Sequence, residues 1–529
     1  MNSIRNNLVF SVLSGILLSI PWLVPHTGVI LFFAFIPLLW MEHAFTTSGK
    51  KGCWIYYGLT FLIWNACTVF WISFVSVIPG ILAVIGNAAQ MFIIFAVFRR
   101  VKRWFLRKGK PDLFAYLFLL TFWIAWEYFY FDAEISFPWL VLGNGFATNL
   151  RLVQWYEWTG VLGGSLWVFT SNLLIFYILR GVRSKSLSVV LALWIFVPVT
   201  WSIIRFYTYK EKPDPVEVVI VQPNIDPVHE KFHNMPQEEQ DRRILGIASE
   251  WVTSSTNYVV APETSIPSVV EGQYFDSESM MKYKDFVLDH PNIAFIFGAN
   301  TYGFYPYSPV KPSPSARPYK DSWYEVYNTA IQLDTTERVQ VYHKSKLVVG
   351  GEKMPFIDVF PFIEKLSLNL GGTTGTLGSQ PDRTVFTRPG SRAKTGVAIC
   401  YESIYGAFVT EYVKNGANFL TVITNDGWWG DTPGYRQHVS YASLRAIETR
   451  RSIVQSANTG ISAFINQRGE REQQTKWWIQ TGLRGKINLN EKLTFYVKNG
   501  DYPGRIFTWV FLLLSVYSLI IAFPSRKRG

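Results

Sequence analysis

Cysteine is almost missing: Cys53, Cys67 and Cys400 are the whole complement in 529 residues. Three thiols exclude a disulfide framework. Cys53 and Cys67 lie at the edge of, or within, an apolar segment, where they read as small packing residues. Cys400 stands alone in the large hydrophilic region. An unpaired thiol in an exported domain is unusual, because oxidising compartments favour pairing, and that flags Cys400 as reactive. Charge is thin as well, at 17% of residues against 49% hydrophobic and 17% aromatic. This balance leans towards a membrane, and the length excludes a single ordinary domain. No repeat of solenoid length occurs. No small-x-small cleavage site follows the first apolar run, which therefore reads as an uncleaved span rather than a signal peptide.

What charge there is lies unevenly. A net of +12 would suit a polynucleotide, so its location decides. The short hydrophilic stretches on one side of the apolar runs carry Arg5; Lys50 and Lys51; Arg99, Arg100, Lys102, Arg103, Arg107, Lys108 and Lys110; Arg180, Arg183 and Lys185; and Arg526, Lys527 and Arg528. Against these 16 basic residues stand two acids, Glu42 and Asp112, a local net of +14 that leaves −2 for the rest of the chain. The excess belongs to membrane orientation, and a nucleic-acid partner loses its support.

Eight apolar segments, most near the roughly 20 residues that a bilayer core demands, predict spans at 8–24, 28–41, 54–72, 75–98, 113–131, 162–179, 187–206 and 506–523. The basic clusters fall on alternate loops, which places the amino terminus inside, the region after the seventh span outside, and the carboxyl terminus inside. The domains expected are 1–212 with seven spans, 213–503 as a catalytic domain, and 504–529 as a last span with a basic tail. Asn65, Asn87, Gln90 and Asn172 fall inside spans and read as interhelical hydrogen-bonding residues. Glu127, towards the outer end of its span, has a better claim to a functional partner.

From 213 to about 503 the apolar runs shrink to strand length and alternate with polar helices. Strands are expected at 216–222, 258–261, 294–298, 330–333, 339–343, 395–400, 419–425, 453–457 and 462–465, and helices at 236–253, 277–289, 403–415 and 434–449. This interleaving predicts an α/β domain whose sheet or sheet pair is covered by helices. Residues 308–318, with four prolines, read as a surface loop. Residues 357–378, apolar and then Gly/Thr-rich, read as a mobile lid. Three runs end in reactive groups: Val-Ala-Pro-Glu-Thr at 260–264, Tyr-His-Lys at 342–344 and Ala-Ile-Cys-Tyr-Glu-Ser at 398–403. Strand ends hold side chains rigidly at a cleft. A carboxylate, an ammonium and a thiol there form a base, an oxyanion stabiliser and a nucleophile. On a strand Lys346 shares a face with Lys344, so spacing does not choose between them.

Glu263, Lys344 and Cys400 in these contexts resemble the Glu-Lys-Cys triad of the nitrilase (carbon-nitrogen hydrolase) superfamily. With the spans added, the whole chain resembles its membrane branch, the apolipoprotein N-acyltransferase family. Supporting stretches are Val-Gln-Pro-Asn at 221–224, Tyr-Asn-Thr-Ala at 327–330, Gly351-Glu352, Asn-Asp-Gly-Trp-Trp-Gly at 425–430 and Arg-Ala-Ile-Glu at 445–448. The resemblance implies an αββα sandwich beside eight spans, with Cys400 as nucleophile, Glu263 as general base, and Lys344 as oxyanion stabiliser helped by the Tyr401 backbone N–H. It gives Glu352 and Glu402 supporting roles, and adds Asn328, Trp428, Trp429 and Phe232 to the substrate-binding set. Two departures stand out. Val349 and Gly350 replace a Pro-Phe, which predicts a looser turn before Glu352, and Phe232, after Lys231, stands where a functional Trp is expected. Arg445 and Glu448 are spaced as a helix ion pair.

The implied activity moves the sn-1 acyl chain of a phospholipid such as phosphatidylethanolamine, through a Cys thioester, to the α-amino group of the diacylglyceryl-cysteine of an apolipoprotein. No cofactor and no metal is implied. The expected partners are the two lipid substrates and the membrane, the protein acts as a monomer, and its location is the bacterial inner membrane with the catalytic domain periplasmic. The apolar loop 137–146 and the spans beneath it would form a lateral entry. A membrane-tethered amidase acting on a small amide is the enzymatic alternative, against which the apolar loop 357–377 argues. A receptor or scaffold is the non-enzymatic one, against which the intact triad argues.

Overall fold

A computed structural model describes residues 2–182, 184–356 and 375–522. The expected lid therefore lies outside the described residues except for its end at 375–378, as do Arg183 and the basic tail 526–528. The chain divides into two compact units, one of Met1–Ala133, Phe137–Thr208 and Asn499–Gly529, the other of Glu134–Ser136 and Tyr209–Lys498.

The first unit is helical. Seven of its helical segments are long and apolar enough to cross a membrane: Asn6–Leu23 within a longer helix, Gly28–Thr47, Val77–Arg107, Leu113–Tyr130, Tyr156–Leu179, Lys185–Thr208 and Tyr502–Ala522. The eighth expected segment forms the shorter Cys53–Val69 helix of 17 residues. Intramembrane polar residues bridge helices as expected: Asn87 Nδ2 donates to Asn65 Oδ1 at 2.7 Å, Asn172 Nδ2 to Leu31 O at 2.7 Å, and Trp126 Nε1 to Gln90 Oε1 at 3.1 Å.

Three expectations need correction here. The helix beginning at Val77 does not stop at Phe98 but runs 31 residues to Arg107, because Arg and Lys are good helix formers and no Gly or Pro intervenes. Its Lys102, read as a loop charge, is buried and pairs with Glu42 at 2.5 Å and with the Tyr116 hydroxyl at 2.7 Å. The loop 137–146 is no exposed apolar entry either. Its residues from Pro138 to Phe146 are all buried in short turns. Glu127 is what holds that loop, its Oε1 accepting from the Leu142 N–H at 3.0 Å and from Trp123 Nε1 at 2.9 Å.

The second unit has two sheets. Its strands among the described residues are β1 Pro215–Gln222, β2 Tyr258–Val260, β3 Ile266–Val270, β4 Ala294–Phe304, β5 Arg317–Tyr319, β6 Ser322–Leu333, β7 Gln340–His343, β8 Val385–Thr387, β9 Lys394–Ile399, β10 Phe419–Thr424, β11 Ile453–Ala457, β12 Ala463–Ile465, β13 Arg471–Gln474 and β14 Thr481–Asn488. The first sheet runs β14-β1-β2-β4-β6-β5, with β3 also on β4 and β7 on β6; the second runs β13-β12-β11-β10-β9-β8. Parallel pairing in the centres, β1-β2-β4 and β9-β10-β11, requires crossovers. The helices Gln237–Trp251, Gly406–Lys414 and Pro433–Thr449 provide three of them, and Glu278–Asp289 precedes β4.

Central strands buried on both faces read as continuous Val/Ile runs. Val219, Val221, Val259, Ala261, Phe295 and Phe297 pack with Ile244, Ile247, Tyr283 and Val287 of the covering helices. The alternate residues face the second sheet: the Tyr258 ring meets Phe419 at 5.3 Å, and its hydroxyl donates to Ala393 O at 3.2 Å. The result is the expected αββα sandwich. Five strands are additional to those expected, β3, β5, β8, β13 and β14, and β4 and β6 run longer than expected.

Candidate active site

The three reactive groups come from strand ends on both sheets. Glu263 follows β2, Lys344 follows β7 of the same sheet, and Cys400 follows β9 of the other. At Glu263 the chain turns sharply, with Thr264 at φ +54°. Gly298 of β4 permits that turn: a Cβ there would lie 2.5 Å from the Thr264 nitrogen and 2.7 Å from Glu263 Cα. Cys400 itself has φ +51°, a costly conformation for a residue with a side chain, and one that turns the chain abruptly from β9 into the short helical turn Cys400–Ile404.

The Lys344 ammonium lies between two carboxylates, 3.2 Å from Glu263 Oε1 and 2.8 Å from Glu352 Oε1. Asn328 Nδ2 bridges the same two oxygens at 2.8 Å each, and the Asn425 N–H reaches Glu263 Oε2 at 3.1 Å. Burial works to lower the Lys344 pKa, but Glu352, followed by Glu263, outweighs it and holds the ammonium above the ordinary lysine range. Lys344 is thus a fixed cation. Cys400 is partly exposed. Burial of its thiol and then the Glu263 carboxylate push its pKa well up, while Lys344 acts in the opposite sense. The resting sulfur is a thiol, so a proton would have to leave it before it could attack.

The turn before Glu352 is not loose. Gly350 N–H to Lys353 O (2.8 Å) and Glu352 N–H to Val348 O (2.8 Å) close it, and Glu352 Oε2 takes the Val348 N–H at 2.9 Å. Gly350, at φ +85°, meets the backbone demand of the turn in place of the missing Pro-Phe.

Glu402 does not touch the reacting groups. It is fully buried and accepts from the Tyr342 hydroxyl (2.7 Å), the Ser345 N–H (2.6 Å), the Lys346 N–H (3.2 Å) and the Ile399 N–H (2.8 Å). It therefore ties the turn carrying Lys344 to the strand end carrying Cys400, and burial raises its pKa despite these donors. The Tyr401 side chain is anchored on the Ser136 carbonyl at 2.8 Å and against Tyr405. Lys346 lies with its ammonium 5.1 Å from the Tyr405 ring centre. Phe232 and Trp428 stack with centroids 6.1 Å apart. Trp429 meets His438 edge to face at 5.6 Å. Arg445 and Glu448 form a buried pair at 2.8 Å, and Arg445 also donates to Ile404 O at 2.6 Å.

Sequence reasoning passed over several residues. Lys231 is buried, donates to the Glu263 carbonyl at 2.9 Å, and has its pKa lowered by burial to about 8. Thr424, Asp426, His438 and Ser403 surround Cys400 from behind. Asp426 lay within the Asn-Asp-Gly-Trp-Trp-Gly stretch, but His438 is a lone histidine on a helix and nothing in the chain's pattern marks it. Among the described residues no group of three His, Cys, Asp or Glu side chains is placed to hold a metal ion.

Residues 14–174 match the family described as apolipoprotein N-acyltransferase N-terminal domain, and residues 218–491 match carbon-nitrogen hydrolase. The chain is 31% identical over 512 residues to the apolipoprotein N-acyltransferase of Chlorobaculum tepidum, covering 92% of each. It is 25% identical to that of Geobacter metallireducens, covering 99% of this chain and 96% of the relative. Among solved structures, an amidase from Nesterenkonia sp. aligns at 13% identity with a TM-score of 0.37, over 55% of this chain and 95% of the other.

Proposed function

The chain belongs to the apolipoprotein N-acyltransferase family, and from that premise we propose that it transfers the sn-1 acyl chain of a phospholipid such as phosphatidylethanolamine to the α-amino group of the N-terminal diacylglyceryl-cysteine of apolipoproteins. Glu263 takes the Cys400 proton as the sulfur attacks the ester carbonyl. Lys344 faces the oxyanion that forms, with the Tyr401 N–H as a second donor. Collapse expels the lysophospholipid alkoxide, which takes the proton back from Glu263, and the acyl group stays on Cys400 as a thioester. The acceptor amine then attacks, Glu263 receives its proton, and the thiolate leaves and is reprotonated.

The observation that carries this reading is the buried ammonium of Lys344 held at 3.2 and 2.8 Å between Glu263 and Glu352. The pair of carboxylates neutralises the cation in the resting site while leaving it a strong donor, and Glu352 and Asn328 position both partners. Phe232 and Trp428, stacked, offer a flat apolar face for an acyl chain, which a Phe serves as well as a Trp except for the lost N–H donor. Family membership favours this transferase over a tethered amidase. Anchored substrates also suit an anchored enzyme, since each buried methylene contributes about 0.8 kcal/mol to membrane attachment.

The positive-inside pattern of the loops supports a periplasmic catalytic domain on a bacterial inner membrane; the reading keeps domain limits at 1–212, 213–503 and 504–529 and a monomer as the working form. Intact mass spectrometry after incubation with phospholipid tests the reading. An acyl mass on Cys400 is expected, and none in Cys400→Ala. A protein that consumes phospholipid without that adduct has another mechanism.

A further inference from the structure

Behind the Cys400 turn lies a closed ring of hydrogen bonds. His438 Nε2 is 3.1 Å from the Cys400 carbonyl oxygen and 2.9 Å from Ser403 Oγ, and the Ser403 hydroxyl donates to that same carbonyl at 2.8 Å. On the other side of the ring, His438 Nδ1 is 3.0 Å from Asp426 Oδ1. Asp426 Oδ1 also accepts from the Thr424 hydroxyl at 2.6 Å. The network thus converges on the Cys400 backbone carbonyl. His438 and Asp426 have no solvent exposure.

The donor inventory fixes the state of the imidazole. A carboxylate oxygen faces Nδ1, and a carbonyl oxygen faces Nε2. Ser403 has spent its proton on the carbonyl, so it too can only accept from Nε2. A neutral imidazole has one N–H and would set a lone pair against an oxygen lone pair on one side. With Asp426 ionised, only the doubly protonated ring satisfies both.

We propose that His438 is a positioning residue for the acyl transfer, a buried imidazolium paired with Asp426, which locks the left-handed Cys400 turn through its carbonyl. Burial works to deprotonate the ring, and Asp426 more than offsets it, leaving the imidazolium favoured above the ordinary histidine range. Among the groups that face it are Asp426 from the turn after β10, Cys400 and Ser403 from the turn after β9, the Trp429 ring, and at longer range Glu263. Lys344 meets the oxyanion; His438 acts only through the turn it holds. This role rests on the thioester reading, but it is measured without any lipid.

The test uses the full-length protein in nanodiscs with Cys53→Ser and Cys67→Ser, so that Cys400 is the single thiol. The rate of alkylation by iodoacetamide is followed against pH. His438→Gln retains one donor for the Cys400 carbonyl but no charge, and Asp426→Asn removes the counter-ion. Either change loosens the lock on the turn, so the sulfur leaves its fixed place beside Lys344 and Glu263, and the midpoint of the alkylation profile should shift by about half a pH unit or more. Folded variants with an unmoved midpoint overturn the proposal.

Should both variants fail to fold, the parent protein decides alone. With nitrogen-15 histidine at pH 7, the two ring nitrogens of His438 should give the near-equal shifts of an imidazolium. The widely split pair of a neutral ring would overturn it. Normal alkylation together with an absent acyl adduct would instead remove the acyltransfer reading and leave the charged His438 in place.

Discussion

Lys344 and Lys346 are separated by one residue and by two very different surroundings. Lys344 is 1% exposed and ion-paired twice; Lys346 is partly exposed and lies against an aromatic ring. Lys344→Ala should therefore slow enzyme acylation by a factor on the order of 100 or more, as loss of an oxyanion donor does. Lys346→Ala should stay within a few fold, and single-turnover release of lysophospholipid measures both. Cys400→Ser should abolish the acyl-enzyme along with turnover, because a serine hydroxyl has too high a pKa for Glu263 to activate comparably; transfer at near the parent rate would exclude Cys400 as the nucleophile.

Lys231 gives a prediction with a defined sign. Its folded pKa is about 8 against an ordinary 10.5, so between those values the unfolded chain binds more protons and stability rises with pH. The parent protein's melting temperature relative to Lys231→Met should accordingly climb from pH 8 towards 10.5, and a flat difference would show that Lys231 is not titrating there. At this scale Glu263, Lys344 and Cys400 were legible because each closes an apolar run. Lys231 and His438 were not, since a buried charge leaves no periodic mark and its partners are 32 and 12 residues away in sequence.

Elements show where composition misleads. Strand β14 reads Thr-Gly-Leu-Arg-Gly-Lys-Ile-Asn with mostly half-exposed residues, and its Gly485 is there because a Cβ would lie 2.8 Å from the Phe464 ring. A strand that lacks side chains for packing reasons carries no hydrophobic alternation to read. Strands β4 and β6 were cut short in the same way: Asn300, Thr301, Asn328 and Thr329 are buried polar residues, Thr301 and Thr329 hydrogen-bonding each other and Asn328 donating into the site. The helix ending at Arg107 was truncated for the opposite reason, its charges being taken for a loop. Glu402 joins two elements, and Glu402→Ala would leave the Ser345 and Ile399 N–H groups without that partner. Each buried donor so orphaned costs about 1–3 kcal/mol. The variant should unfold at a lower temperature than the parent in nanodiscs, whereas Lys346→Ala should not.

For the molecule as a whole, a single thiol serving two lipid substrates in turn predicts ping-pong kinetics. Double-reciprocal plots at several lipoprotein concentrations should be parallel, and without lipoprotein the release of lysophospholipid should amount to about one burst per enzyme. Intersecting lines would mean direct transfer within a ternary complex. The fold class and the division into an apolar helical part and a sheet-rich part were legible from hydropathy alone, because both follow from periodicity. Which strands face each other across the sandwich was not, since that depends on pairings between residues far apart.

One such pairing has a mechanical meaning. Glu263 and Lys344 ride on the first sheet, Cys400 and Asp426 on the second, so every breath of the sandwich would stretch the gap that the proton and the developing charge must cross. Bonds run across that gap from the Tyr342 hydroxyl and the Ser345 and Lys346 N–H groups to Glu402, and from the Asn425 N–H to Glu263. They act as spacers of fixed length, so thermal swelling of the interior is taken up elsewhere in the layers and the chemistry is insulated from it.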